Sequence, residues 1–478
     1  MRSFIAGLIA ATLLGAGAQA AEPVKVKIDS GALVGSSDDG VNVFKGVPFA
    51  KPPVGDLRWR APQKISWSGE RDATKFALPC PQPINADGKA NGGGVSGATS
   101  EDCLYLNVWA PKGAKNAPIM LWLYGGAGYL GAGHLGSYQG DSFARQGVIV
   151  VTINYRLGML GNFAHPALTK AAPAGEATVN YALMDAIAGL EWVKRNGKAF
   201  GGDTSNVTLF GQSAGGLMVS NLLSSPPAKG LFQKAIVHSG AYLAGGRTLA
   251  QAEADGAKMA TALGLPGADA TAAQLRALSP DAMVANNATR SGVQLVLDGK
   301  IRTTGTRDGF ATGASFDVPT IVGSNSGERG AGAADEFVDL AARTGKAGAW
   351  QYFFTYVPPW RTAEQPKGAP HSAEIPYAFD ALKTSTTGGG ARVTDADRAV
   401  ARRINSCWVA FAKAPATATS LTCADGFVWQ ARTPANDAVA IFGALPALGA
   451  AKKVVAENSA AFPPPAQVAA ATTPAPTR

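Results

Sequence analysis

Five apolar, β-branched runs recur along the chain between glycine-rich loops, at residues 119–124, 148–154, 207–210, 234–239 and 320–324. Continuous apolar runs of this length, without polar alternation, read as strands buried on both faces. Helical patterns fall between several of them. The clearest is Tyr181–Asn196, where Leu183, Ile187, Leu190 and Val193 share one face. Strands that alternate with helices predict a large, mostly parallel central sheet with helices on both faces. The part up to about Trp109 is richer in turns and short strands, and is expected to form an antiparallel N-terminal extension at one edge. A late helix is predicted over 393–412, with Thr394 as N-cap, Asp397 three residues on, and Val400, Ile404, Cys407 and Phe411 on one face. There is no internal repeat and no Pro/Ser-rich linker, so residues 21–460 are expected to form one domain.

The two ends differ from this body. Arg2 precedes an apolar stretch from Phe4 to Leu14, and Ala18-Gln19-Ala20 has the small-x-small form of a cleavage site. Residues 1–20 therefore read as a secretory signal peptide, which predicts a secreted or periplasmic protein with no membrane span after cleavage. Residues 461–478 are Pro-, Ala- and Thr-rich without periodicity and are expected to be a disordered tail. Export leads to an oxidising compartment, where the four cysteines, Cys80, Cys103, Cys407 and Cys423, are expected to pair. Four cysteines allow three pairings. The local one would close two loops of about twenty residues, each adding roughly 3 kcal/mol in the chain-entropy picture. None of the spacings suits a zinc site. The formal net charge of +9, one unit of it from Arg2, is scattered, with no aromatic-basic stripe that would suit nucleic acid.

The chemistry centres on Gly211-Gln212-Ser213-Ala214-Gly215, which follows the strand-like run Asn206-Val207-Thr208-Leu209-Phe210 and precedes a helix-compatible stretch. Glycines on both sides let a strand-to-helix turn close tightly and present Ser213 at a helix N-terminus. A serine hydroxyl is a poor nucleophile alone. It needs a base, an acid to orient the base, and N–H groups for the oxyanion. Of the four histidines, His371 lies well downstream in a Pro- and Gly-punctuated loop, while His134 and His165 precede the serine. His238, at the end of the next strand, is the rival base. Glu328 follows the 320–324 strand and is the candidate acid, with Asp317 and Asp335 as competitors. Oxyanion donors are expected at Ala214 and in Gly125-Gly126-Ala127-Gly128, directly after another strand. Gly126-x-Gly128-x-x-Gly131 also fits a dinucleotide fingerprint in form. However, no helix follows it, and the next strand ends without an acidic residue for a ribose.

These motifs resemble the type-B carboxylesterase family, the group that includes the cholinesterases. Phe200-Gly201-Gly202 with Val207, Leu209 and the Ser213 pentapeptide fits one family signature. Glu101-Asp102-Cys103-Leu104-Tyr105-Leu106-Asn107-Val108-Trp109-Ala110-Pro111 fits a second. Gly46-Val47-Pro48-Phe49-Ala50 and Asn154-Tyr155-Arg156-Leu157-Gly158 are also similar. The resemblance implies an α/β-hydrolase fold and hydrolysis of small-molecule esters through an acyl-enzyme, with no metal or cofactor. It implies Ser213 as nucleophile, His371 as base and Glu328 as orienting acid. Gly126, Ala127 and Ala214 would form the oxyanion hole, Ser239 would support the acid, and Cys80–Cys103 would match the family's first disulfide. A lipase, amidase or aryl-polyester hydrolase on the same scaffold is the alternative, and a non-catalytic binding module a more distant one. Three departures stand out. Ala127-Gly128 replaces a glycine followed by an aromatic, Gln212 replaces a glutamate, and the 80–103 loop has no tryptophan. Together they predict a wider, less cation-selective site than a cholinesterase's.

Overall fold

A computed structural model describes residues 21–287 and 295–462. The proposed signal peptide and the tail beyond Phe462 lie outside the described residues. The central sheet has thirteen strands. Seven of them form its parallel body: β1 (Ala117–Leu123), β2 (Ile149–Ile153), β3 (Gly202–Gln212), β4 (Lys234–His238), β5 (Thr320–Asn325), β6 (Ala349–Phe354) and β7 (Ala438–Phe442). They lie side by side in the order β2-β1-β3-β4-β5-β6-β7. Tyr105–Pro111 pairs antiparallel with β2 and is followed outward by Val41–Pro48, Gly31–Asp38 and Glu22–Ile28. This is the expected N-terminal extension. Pro446–Ala450 closes the other edge antiparallel to β7.

Burial on both faces explains the uniform apolar runs. Every residue of β1 and of β2 is buried. Neighbouring side chains on a strand point to opposite faces. On one face, helix Tyr181–Asn196 brings Gly189 so close that an added Cβ would touch Ile153 and Leu121. On the other, the Trp122 ring packs edge-on against Phe379 and His238, and Trp408 of the helix Asp395–Lys413 packs on His238. That late helix starts where the sequence places it, with a reciprocal Thr394–Asp397 capping box.

The cysteines pair locally. Cys80–Cys103 has a Cα–Cα distance of 5.0 Å, and Cys407–Cys423 one of 4.6 Å. The first closes the loop that carries Gly92, Gly93 and Gly94 to the rim of the functional cleft. The second ties the late helix to the hairpin Ser420–Thr422/Val428–Gln430. Inside the Asn154–Gly158 motif, Arg156 forms a buried ion pair with Asp185, with Nη2 to Oδ1 at 2.7 Å, while its backbone N–H also donates to that carboxylate. Both charges are thereby paired and hydrogen-bonded, as burial requires. The pair locks the loop after β2 to helix Tyr181–Asn196. Among the described residues no helix is long and apolar enough to cross a membrane.

Candidate active site

Ser213 stands at the C-terminal end of β3, where the chain turns sharply into helix Ala214–Leu222. Its backbone has φ 55° and ψ −121°, a strained conformation for a residue with a side chain. The surroundings enforce the turn. The Ser213 N–H donates to the His238 carbonyl at 2.9 Å, and the Leu217 N–H to the Ser213 carbonyl at 2.7 Å. Only glycine fits at position 215, because a Cβ there would lie 2.0 Å from the Leu123 carbonyl oxygen. The strain and the crowding together push the Ser213 hydroxyl out above the sheet.

Glu328 lies in the loop after β5 with its carboxylate nearly buried. One oxygen, Oε1, accepts from the Ser239 hydroxyl at 2.5 Å and from the Asn325 N–H at 2.8 Å. The other, Oε2, accepts from Nδ1–H of His371. The loops that carry the two residues are stitched together. Ala369 N–H donates to Ser326 Oγ, Gly327 N–H to the Ala369 carbonyl, and Asn325 Nδ2 to the Pro370 carbonyl. Asn458, from the last described helix, holds the Glu328 carbonyl at 2.9 Å. Sequence reasoning missed Asn325, Ser326 and Asn458. Only Asn325 carried a signal, as a polar residue closing a buried strand beside the candidate acid.

The bond to Glu328 fixes the proton of His371 on Nδ1. It also raises the imidazole's affinity for a second proton above its usual value, against an opposing effect of burial. Nε2 keeps its lone pair and accepts a 3.2 Å hydrogen bond from the Gln212 side-chain amide, which can only donate through Nε2–H. Among the described residues no hydrogen bond joins Ser213 Oγ to His371. Both line one cleft of about 430 Å³ with Gln212, Gly126 and Ala127. Its lining also includes Tyr138, Ile375, Thr386 and Thr387, and among the described residues it holds neither a tryptophan nor a carboxylate. A second cavity of about 370 Å³ also reaches Ser213, lined by Ala127, Ala214, Leu217, Ser239 and Tyr242.

The loop after β1 is shaped to present backbone amides. Gly126 has φ 119° and Ala127 φ 54°. A Cβ on Gly126 would come 2.2 Å from the Leu130 carbonyl oxygen, so the tight turn needs glycine there. Among the described residues the Gly126 and Ala127 N–H groups have no protein acceptor. Ala214 is the first residue of its helix, where N–H groups lack intrahelical partners and the helix dipole favours negative charge.

The competing candidates are occupied elsewhere. His238 is wholly buried, with Nε2 accepting from the Trp408 indole N–H and Nδ1 bonded to the Tyr352 hydroxyl, each at 3.0 Å. His165 caps a short helix, and His134 stacks on Phe76. Asp317 accepts backbone N–H groups of Lys346 and Ala347, and Asp335 pairs with Arg432.

The sequence model described as the Carboxylesterase family matches residues 22–338. The chain is 41% identical over 326 residues to a fumonisin B1 esterase of Sphingopyxis macrogoltabida, covering 67% of this chain and 59% of that protein. The chain thus spans about three fifths of that relative's length. It is 34% identical over 444 residues to a para-nitrobenzyl esterase of Bacillus subtilis (strain 168), covering 80% of this chain and 88% of that one. Among solved structures, a thermophilic PNB esterase superposes with a TM-score of 0.77 at 29% identity, over 91% of this chain and 99% of the other.

Proposed function

The chain belongs to the carboxylesterase family, and from that premise we propose that it is an exported serine esterase that hydrolyses small-molecule carboxylic esters through an acyl-enzyme on Ser213. The observation that carries this reading is the Glu328–His371 pair. Its tautomer leaves Nε2 unprotonated, in the same cleft as a serine held on a strained elbow.

In the proposed reaction His371 Nε2 turns from the Gln212 amide to the Ser213 hydroxyl and takes its proton as Oγ attacks the ester carbonyl. Glu328 stabilises the imidazolium that forms. The N–H groups of Gly126, Ala127 and Ala214 receive the negative charge on the carbonyl oxygen, and each such donor contributes roughly 3 kcal/mol to the transition state. The imidazolium then returns its proton to the departing alkoxide. Water repeats the sequence in reverse and frees the acid. The leaving oxygen must lie within reach of His371, so the alcohol part occupies the cleft that His371 lines and the acyl part the cavity beside Tyr242. The names of the relatives support small-molecule esters as the substrate class. Local disulfides and the N-terminal segment support export.

Labelling tests the reading. A fluorophosphonate is expected to attach once per chain, at Ser213 in the peptide map, and to abolish hydrolysis of para-nitrophenyl esters in step with labelling. Full activity in a fully labelled sample, or labelling at another serine that abolishes activity, would refute it.

The acid limb of the pH profile gives a second expectation. Only neutral His371 can accept the serine proton, and Glu328 holds its pKa above the ordinary value of about 6.5. Activity is therefore full well above that pKa and is lost as pH falls through it. The midpoint in kcat/KM is expected above about 6.5. A profile flat down to pH 4 would contradict a histidine base.

A further inference from the structure

The Gly126 N–H shares a peptide unit with the Gly125 carbonyl, and the Ala127 N–H shares one with the Gly126 carbonyl. A trans peptide is planar, so its C=O and N–H point in opposite directions. Whatever holds these two carbonyls back therefore aims the two N–H groups forward. The Gly126 carbonyl accepts from the N–H groups of Tyr129 and Leu130, at 3.1 and 2.9 Å. The Gly125 carbonyl lies against Gly131, where an added Cβ would come 2.7 Å from its oxygen. Both carbonyls thus rest on the segment around Leu130 and Gly131, and the aim of the donors depends on where that segment stays.

We propose that Gln82 is a positioning residue for the oxyanion hole, because its side-chain amide pins Gly131 and, through it, the backs of the two donating peptides. This rests on the serine-esterase reading above. Gln82 is buried, and its Oε1 accepts from the Gly131 N–H while its Nε2 donates to the Gly131 carbonyl, each at 2.8 Å. Oε1 also accepts from Asn91 Nδ2, and Nε2 also donates to the Cys80 carbonyl, each at 3.1 Å. A glutamine amide has two N–H donors and two acceptor sites, and here all of them are used. Turning the amide over would set N–H against N–H at Gly131, so its orientation is fixed. The base of the clamp is fixed as well, since Cys80 is bonded to Cys103. Asn91 extends the clamp to the rim of the cleft. Its Oδ1 accepts from the Gly93 and Val95 N–H groups, and Gly93 sits so close that an added Cβ would lie 2.6 Å from the Gly131 nitrogen. Gln82 lines neither of the two cavities that reach Ser213, so its effect on the reaction passes through the loop alone.

Gln82→Met keeps the length of the side chain and removes all of these bonds. A shift of the donors by about an ångström is expected to cost about 10–10²-fold in kcat on a para-nitrophenyl ester. The donors act on the oxyanion of the transition state, so kcat and kcat/KM should fall together. The second readout is a trifluoromethyl ketone, whose tetrahedral adduct with Ser213 places a negative oxygen in the same hole. Its affinity should fall by the same factor as kcat/KM. The acid-limb midpoint should stay where it is, because Glu328 and His371 are untouched. A merely structural role would look different. It would raise KM alone, or lower the amount of active enzyme and leave the ketone's affinity unchanged. Either result, or a kcat within about twofold of the parent's, would overturn the proposal. If Gln82→Met does not fold, Gln82→Asn carries the same test, since it keeps a polar amide but draws it back from Gly131 by one methylene. The esterase reading fails separately. A parent protein that is not labelled at Ser213 ends that reading, whereas a labelled parent with unaltered Gln82 variants ends only this proposal.

Discussion

Ser213→Ala is expected to lower kcat on an activated ester by about 10⁶. The size follows from the geometry. Without the hydroxyl, His371 has no serine proton to take, and Glu328 orients a base that has lost its nucleophile. The remaining acceleration would come from the N–H groups of Gly126, Ala127 and Ala214 acting on a bound ester attacked by water. Residual catalysis of that kind is about 10³–10⁴ over the uncatalysed rate in a serine hydrolase that has lost its machinery. For the same reason, adding His371→Ala to Ser213→Ala should change little, because the residues act as one unit. The fold should tolerate the change. Alanine keeps the Cβ that the elbow already accommodates at φ 55°, and the elbow is held by the backbone bonds of Ser213 rather than by its hydroxyl. The measurement is steady-state hydrolysis, with circular dichroism to confirm the fold. A variant that keeps a tenth of the parent's activity would remove Ser213 from the mechanism.

Much of this site was legible before any coordinates, and the limits have physical causes. The elbow at Ser213 could be read because its requirements are local: a strand, two glycines, a helix. His371 could be named because only two histidines follow the serine, and Glu328 because it follows a strand-like run and fits the family resemblance; composition alone leaves Asp317 and Asp335 beside it. The five strands that were named are those whose apolar runs are continuous. Strand β6 (Ala-Trp-Gln-Tyr-Phe-Phe) breaks its apolar run with a glutamine, which the buried pairing of Gln351 with Arg432 explains. Edge strand Pro446–Ala450, with mostly exposed and half-exposed residues, carries almost no apolar signal. Helix Ala331–Thr344 begins in a glycine- and alanine-rich stretch that reads as loop, and it becomes a helix because Ala334, Phe337 and Val338 bury against the sheet. The contacts of Asn325, Asn458 and Gln212 join residues far apart along the chain. Composition and period carry no information about such meetings. The change at Gln212 could be seen in the sequence as a missing charge, but that its amide meets Nε2 of a residue 159 positions away could not.

Glu328→Gln is expected to cost about 10⁴ in kcat, a loss of the size seen when the orienting acid of a serine hydrolase becomes an amide. The hydrogen bonds around Glu328 specify how. Ser239 Oγ–H and Asn325 N–H both donate to Oε1. A glutamine there would turn its carbonyl oxygen toward those two donors, and its NH₂ would then face His371 Nδ1. Two N–H groups cannot meet head-on, so the ring would move its proton to Nε2 and present Nδ1 as the acceptor. The atom that should take the serine proton would already carry one. The charge change acts as well. The Glu328 bond is the main cause that holds the His371 pKa up, and removing it should let the pKa fall. The small residual activity of Glu328→Gln should therefore persist to lower pH than the parent's, even as its ceiling drops. A general loss of structure would reduce the rate at every pH and leave the midpoint where it was. The two signatures together, a lower plateau and an acid limb displaced downward, can be read from one kcat/KM profile of each protein. A plateau within tenfold of the parent's would mean that another group orients His371. A limb that moves upward would mean that the Glu328 carboxylate does not stabilise the imidazolium.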